Sequence, residues 1–175
     1  MEEAIAFENH KGAKRNPVLQ RSLVEKDVTR GYGLVLPLKK VHKIPGLLLA
    51  PMNIMTQNTI DEHGRIIEKD RSTHDQSFKW GPGTSVNSRV DKEELLPCRF
   101  GACLRRLMNW AVAARRMFPG RRILSSKIDY RSAYRRCHLN SRTAIQTCTQ
   151  LPEEDLAVVA LRLTFGGAPG PYEWV

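Results

Sequence analysis

Negative charge is scarce in the middle of this 175-residue sequence. Between Glu94 and Glu153 the only carboxylate is Asp129, and twelve lysines and arginines share that stretch. Other absences narrow the field. There is no run of about 18 apolar residues, which excludes a transmembrane helix and argues against a membrane partner. The acidic start Met1-Glu2-Glu3 lacks the apolar core of a secretory signal, so a cytoplasmic or nuclear location is expected rather than secretion. Cys98, Cys103, Cys137 and Cys148 form no Cys-x-x-Cys pair, and Cys137-His138 has no second pair at zinc-ligand spacing. Reduced thiols suit the same compartments. The sequence holds no internal repeat and no low-complexity tract.

What is present is a globular composition, 41% apolar and 26% charged, long enough for one domain with its own core. The net charge of +10 favours a polyanionic partner, nucleic acid first. A basic protein with no such partner is the plainer alternative.

Residues 1–30 are weakly patterned and are expected to form an arm or a short helix, separate from residues 31–175. Residues 32–38 read as a strand entered through Gly33, continued with exposed charge by residues 39–43. Pro45-Gly46 marks a turn, and the apolar residues 47–55 a second extended segment. Asp61-Glu62-His63-Gly64 separates Asn58-Thr59-Ile60 from Arg65-Ile66-Ile67, which predicts a hairpin. Residues 78–83 read as a glycine-rich loop. Asp91 with Glu94 three residues later reads as a helix start. Residues 99–118 have helical spacing, with Phe100, Leu104, Leu107, Met108, Ala111 and Val112 on one face, and Pro119-Gly120 stops them. Residues 122–129, 143–149 and 156–165 read as strands, 132–136 as a turn or one helical turn, and 152–155 as an acidic turn or a short helix start. Strands and helices mix without βαβ alternation, so the expected class is α+β.

A lone acid in a basic segment matters for phosphate chemistry. Basic residues draw in the polyanion, and a carboxylate holds the Mg²⁺ that neutralises charge on a transferred phosphoryl group. Asp129 sits in Lys127-Ile128-Asp129-Tyr130-Arg131-Ser132-Ala133-Tyr134-Arg135. An acid with arginine neighbours is also what a structural ion pair looks like, and charge pattern alone does not separate the two.

Three segments together resemble the fingers and early palm of a retroelement reverse transcriptase, an RNA-directed DNA polymerase. The first is Arg71-Ser72-Thr73-His74-Asp75-Gln76-Ser77, followed by Thr84-Ser85-Val86-Asn87. It is similar to the family's fingers segment. The second is the Asp129 segment, similar to the motif carrying the first catalytic aspartate. The third, Arg162-Leu163-Thr164-Phe165-Gly166-Gly167-Ala168-Pro169, looks like the Phe-Gly turn with its Ala-Pro pair, at a shorter spacing than is usual in the family. The resemblance spans residues 31–175.

The resemblance implies a partial right-hand polymerase fold: a fingers hairpin plus an incomplete palm sheet with helices. It implies that Arg71 contacts the triphosphate, for which a bidentate guanidinium is suited. Arg65 and Lys69 are further nucleotide-binding candidates on the same hairpin. Asp129 becomes the catalytic residue and Mg²⁺ ligand. Backbone N–H groups near Ser132 and Ala133 would face the triphosphate. Tyr134 would lie under the sugar and select deoxynucleotides. Phe165 and Gly166 would pack against template and nucleotide. The implied partners are an RNA or DNA template-primer and dNTPs.

The family's next motif pairs two aspartates, and this sequence has no Asp-Asp pair. Nucleotidyl transfer uses two metals, which one aspartate does not hold. The C-terminal palm and thumb are expected to be missing, and the nucleotidyltransferase site to be incomplete and idle. The alternatives are a non-catalytic basic nucleic-acid-binding protein and a structural protein with accidental matches.

Overall fold

Asn16 opens the longest N-terminal helix by accepting the Leu19 N–H at 3.1 Å, and Pro17 presets the backbone of the first turn. The structure, a computed structural model, describes residues 1–80, 85–91, 93–95, 102–126, 132–168 and 170. Three helices occupy the N-terminal segment: α1 (Glu2–Phe7), α2 (Lys11–Lys14) and α3 (Pro17–Thr29). They are joined to the rest by buried polar contacts. Asn9 Nδ2 and Gln20 Nε2 both donate to the Gln150 carbonyl, at 2.9 and 3.1 Å. Gln150 Nε2 in turn donates to the Ala4 carbonyl at 2.8 Å. Ala4, Ala13 and Val24 are buried, so these helices form part of the core.

Strands β1 (Gly33–Pro37), β4 (Cys148–Leu151) and β5 (Leu156–Ala160) make an antiparallel sheet in the order β1-β5-β4. The central strand β5 is buried along nearly its whole length, as its unbroken apolar run Leu-Ala-Val-Val-Ala requires. Strands β2 (Met52–Ile60) and β3 (Ile66–His74) form a separate two-stranded hairpin. Its turn is built by Asp61, whose Oδ1 accepts the N–H groups of His63 and Arg65, with Gly64 in the left-handed region. Met52, fully buried with Val24, Leu151 and Val158, anchors the hairpin base. The mixed α+β class is as expected.

Several expected elements differ. Residues 38–43 form a 3₁₀ turn (Leu38–Lys43), not an extended strand, because that turn buries both Leu38 and Val41 in the main core. The hairpin runs from 52 to 74, longer than the tip alone suggests. Residues 93–95 bend without forming a helix: Asp91 Oδ1 accepts the Glu93 N–H at 2.9 Å, a turn contact. Residues 122–126 find no ladder partner among the described residues and are not a strand. Asn140 Oδ1 takes the Thr143 N–H at 2.9 Å and starts helix α5 (Ser141–Ala144), followed by a 3₁₀ turn (Ile145–Thr147). The strand expected over 143–149 therefore begins only at Cys148. Strand β5 ends at Ala160, after which the chain leaves the sheet.

Helix α4 (Cys103–Met117) forms where the spacing predicts it, but none of its residues is buried. Leu104 is 70% exposed and Met108 61%. Residues 99–101 of the expected helix, residues 81–83 of the expected loop, and Cys98 lie outside the described residues. Among the described residues no helix is long and apolar enough to cross a membrane. Cys103 is exposed, Cys137 half-buried and Cys148 buried. Burial pushes the Cys148 thiol up to about 12, so it stays protonated.

Candidate functional site

The segments after β3 and after β5 are hydrogen-bonded to each other. The His74 N–H donates to the Phe165 carbonyl at 3.1 Å, along the open edge of β3. Gln76 Nε2 donates to Thr164 Oγ1 at 2.6 Å, with both side chains buried. Asn87 uses both ends of its amide. Its Nδ2 donates to the Gly166 carbonyl at 2.7 Å and its Oδ1 accepts the Ala168 N–H at 2.7 Å. A clasp results, with the Phe165-Gly166 turn held between residues 74–77 and 85–88.

The third segment closes on the same turn. Ser132 adopts φ 54° and opens a 3₁₀ turn over Ala133–Arg136. Tyr134 meets Phe165 edge to face, ring centroids 4.9 Å apart. The Leu163 N–H donates to the Cys137 carbonyl at 3.0 Å, and His138 bridges to Arg162. Phe165 is 43% exposed, beside the half-buried Tyr134.

Behind the clasp is a charged cavity. Arg135 pairs with Asp27 of α3 by a short contact between Nη2 and Oδ2. Burial raises the Asp27 carboxyl above its ordinary value, against the pull of Arg135 and Arg30. Burial likewise lowers the Arg135 guanidinium, which its partner Asp27 opposes. The buried His74 imidazole is pushed down to about 3, first by burial and then by Arg135. It is therefore neutral at physiological pH. A space of about 20 Å³ lies between His74, Thr149, Asp27 and Arg135, room for one water molecule.

The hairpin candidates are placed differently from the clasp residues. Arg65 is at the exposed tip and is tied to Asp61, Nε to Oδ2 at 2.8 Å. Backbone N–H donors, Arg65's foremost, hold the Asp61 carboxyl below its usual value. Lys69 is exposed and lies opposite Gln57. Arg71, half-buried opposite Met55, has a buried Nε with no hydrogen-bond partner. Both stand on the hairpin face opposite to Ser72 and His74, which line the Arg135 cavity.

The structure thus brings together Ser132, Ala133, Tyr134, Phe165 and Gly166, and keeps Arg65 apart at the hairpin tip. Asp129 lies outside the described residues, as does Pro169. Among the described residues no three His, Cys, Asp or Glu side chains converge, so these residues do not fit a Mg²⁺ site by themselves. Asp75 is occupied by His10, its Oδ2 at 3.0 Å from Nε2. His74, Gln76 and Asn87 stand in the first resembling segment, which assigns them no role, and the Asp27–Arg135 pair carries no sequence signal.

No family model, curated protein or solved structure matches the chain.

Proposed function

We propose that the chain is the fingers and partial palm of a retroelement reverse transcriptase, a core that holds a deoxynucleoside triphosphate against a template strand. The observation that supports this reading is convergence. Three segments that resemble polymerase motifs, far apart in sequence, meet at one turn through His74, Asn87 and Tyr134. In this reading Tyr134 supports the sugar and excludes a 2′-hydroxyl, and Phe165 packs against the base. The turn at Ser132–Ala133 offers N–H donors to phosphate, with Arg71 supplying a guanidinium. Asp129 is the carboxylate assigned to Mg²⁺, which would neutralise phosphoryl charge when bound. With no Asp-Asp pair in the sequence, this chain binds nucleotide without joining it to a primer.

Photo-crosslinking with an azido-dNTP tests the reading. Crosslinking is expected, with competition by dNTP stronger than by rNTP. The preference should shrink in Tyr134→Ala, and primer extension with Mg²⁺ or Mn²⁺ should be absent. Crosslinking that dNTP and inorganic triphosphate suppress equally would sink the nucleotide site. Templated extension would sink the incomplete centre. A non-catalytic nucleic-acid-binding protein is the second reading, favoured by the charge of +10. It predicts salt-sensitive oligonucleotide binding with no nucleotide crosslink, unaffected by Asp129→Ala.

A further inference from the structure

Helix α4 is amphipathic, yet its apolar side is left uncovered. At about 3.6 residues per turn, Leu104, Leu107, Met108 and Val112 share one side, and Arg105, Asn109 and Arg116 the other. A surface helix with this pattern buries its apolar side against a core. Here Leu104 is 70% exposed and Met117 71%, and only the small Ala111 and Ala114 are half-buried. The apolar side is also broad. Trp110 and Met117 stand at one flank and Val112 at the other, an arc of roughly 220°.

Arginines line both margins of that arc. Arg105 and Arg116 stand beside Val112, and Arg106 stands beside Met117. No ion pair among the described residues involves these three. Residues 102–126 contain six arginines and no acid, so nothing on the helix or just after it offsets their charge. Arg115 is the one cation inside the arc. Its Nη1 donates to the Arg121 carbonyl at 3.2 Å, which draws the guanidinium past the C-terminal end of the helix.

Charge complementarity requires an anionic partner, and the shape of the arc selects which one. A phosphodiester chain would engage the arginines and leave the apolar side in water. The groove of an acidic protein takes a narrow stripe at i, i+3, i+4 and i+7, and would leave out Trp110 and Val112 on their opposite flanks. A lipid surface takes the whole arc. Acyl chains cover the apolar side, headgroup phosphates meet the flanking guanidiniums, and an indole sits at the boundary. We propose that α4 is an interfacial helix that docks the protein on the surface of an anionic phospholipid bilayer. It lies parallel to the membrane, with Leu104, Leu107 and Met108 in the boundary between headgroups and acyl chains. The expectation of no membrane partner rests on the absence of a spanning run. An interfacial helix needs a face and not a run, so the lack of a spanning helix among the described residues is no obstacle. None of the clasp residues belongs to α4, and the proposal does not rest on the nucleotide reading.

Flotation of the full chain with vesicles tests it, phosphatidylcholine alone against phosphatidylcholine mixed with phosphatidylserine. Binding to the mixed vesicles is expected, and roughly a hundredfold weaker binding to the neutral ones, since each of the three flanking arginines contributes about fivefold. Arg105→Gln with Arg116→Gln should weaken binding to mixed vesicles roughly 25-fold and leave neutral vesicles unaffected. Leu107→Gln with Met108→Gln should weaken binding to mixed vesicles roughly tenfold or more. All four positions are exposed, so the fold does not depend on them. Brominated acyl chains should quench the tryptophan emission of the bound protein, and Trp110→Phe should remove most of that quenching. Equal binding to neutral and anionic vesicles, or quenching that survives Trp110→Phe undiminished, would overturn the proposal. Oligo(dT) binding that falls in Leu107→Gln with Met108→Gln as far as vesicle binding does would make the arc a nucleic-acid surface instead. Displacement from the vesicles by a soluble poly-glutamate peptide as effective as that by added phosphatidylserine vesicles would likewise overturn it, in favour of an acidic protein.

Discussion

A Cβ on Gly166 would stand 1.8 Å from the carbonyl oxygen of His74, and Gly166 takes φ +114°. Only glycine meets both conditions. Gly166→Ala is expected to drive the turn away from β3 and break the hydrogen bond from His74 to Phe165. The cost should be about 3 kcal/mol, the sum of a strained backbone and broken hydrogen bonds. A lower urea midpoint checks this, and faster exchange of the His74 amide locates it.

Asn87 is the other hold on that turn. Asn87→Ala removes the donor to Gly166 and the acceptor for Ala168. The groups it serves are partly solvated, so the expected loss is about 1 kcal/mol. Asn87→Asp keeps the acceptor for Ala168 and loses the donor to Gly166, and should fall between wild type and alanine. Urea unfolding at neutral pH gives the order.

His74 makes the fold acid-sensitive. Its folded value is about 3 and its unfolded value about 6.5, so the unfolded chain binds the extra proton between them. Stability from this group is complete above pH 6.5 and is lost as pH falls toward 3. Between pH 7 and pH 4 the loss is roughly 3 kcal/mol, at 1.36 kcal/mol per unit. Urea midpoints across that range should fall in the wild type and fall less steeply in His74→Gln. Equal slopes would remove His74 as the cause.

The Asp27–Arg135 pair joins α3 to the clasp. Asp27→Asn leaves the Arg135 charge enclosed without its partner, and about 3 kcal/mol should be lost. The double change Asp27→Leu with Arg135→Met should recover most of that, since it removes both buried charges. Thermal unfolding of the three variants against wild type checks the order.

The sequence made the hairpin turn legible because Asp61 and Gly64 are local turn chemistry. It hid the hairpin's length. Residues 66–74 are mostly polar, and the outer half of the strand, exposed on both faces, has no apolar alternation to read. The N-terminal helices were illegible for a different reason. Their attachments are polar and distant, as in the contact of Asn9 with Gln150, 141 residues away. Threonines around Ile145 suggested a strand, and the Asn140 cap overrode that propensity. The order of the three clasp segments was visible, but not the hydrogen bonds that draw them together.

The register of the hairpin acts as a charge filter with no tolerance for slippage. Because the side-chain period is two, inserting one residue in β3 between Arg71 and His74 would exchange the faces of everything toward the tip. Glu68 and Asp70 would then take the face that Lys69 and Arg71 now occupy, and those two would turn away, with no change in composition or net charge beyond the inserted residue. A frame error of a single residue in this ribbon would thus convert an anion-attracting face into an anion-repelling one.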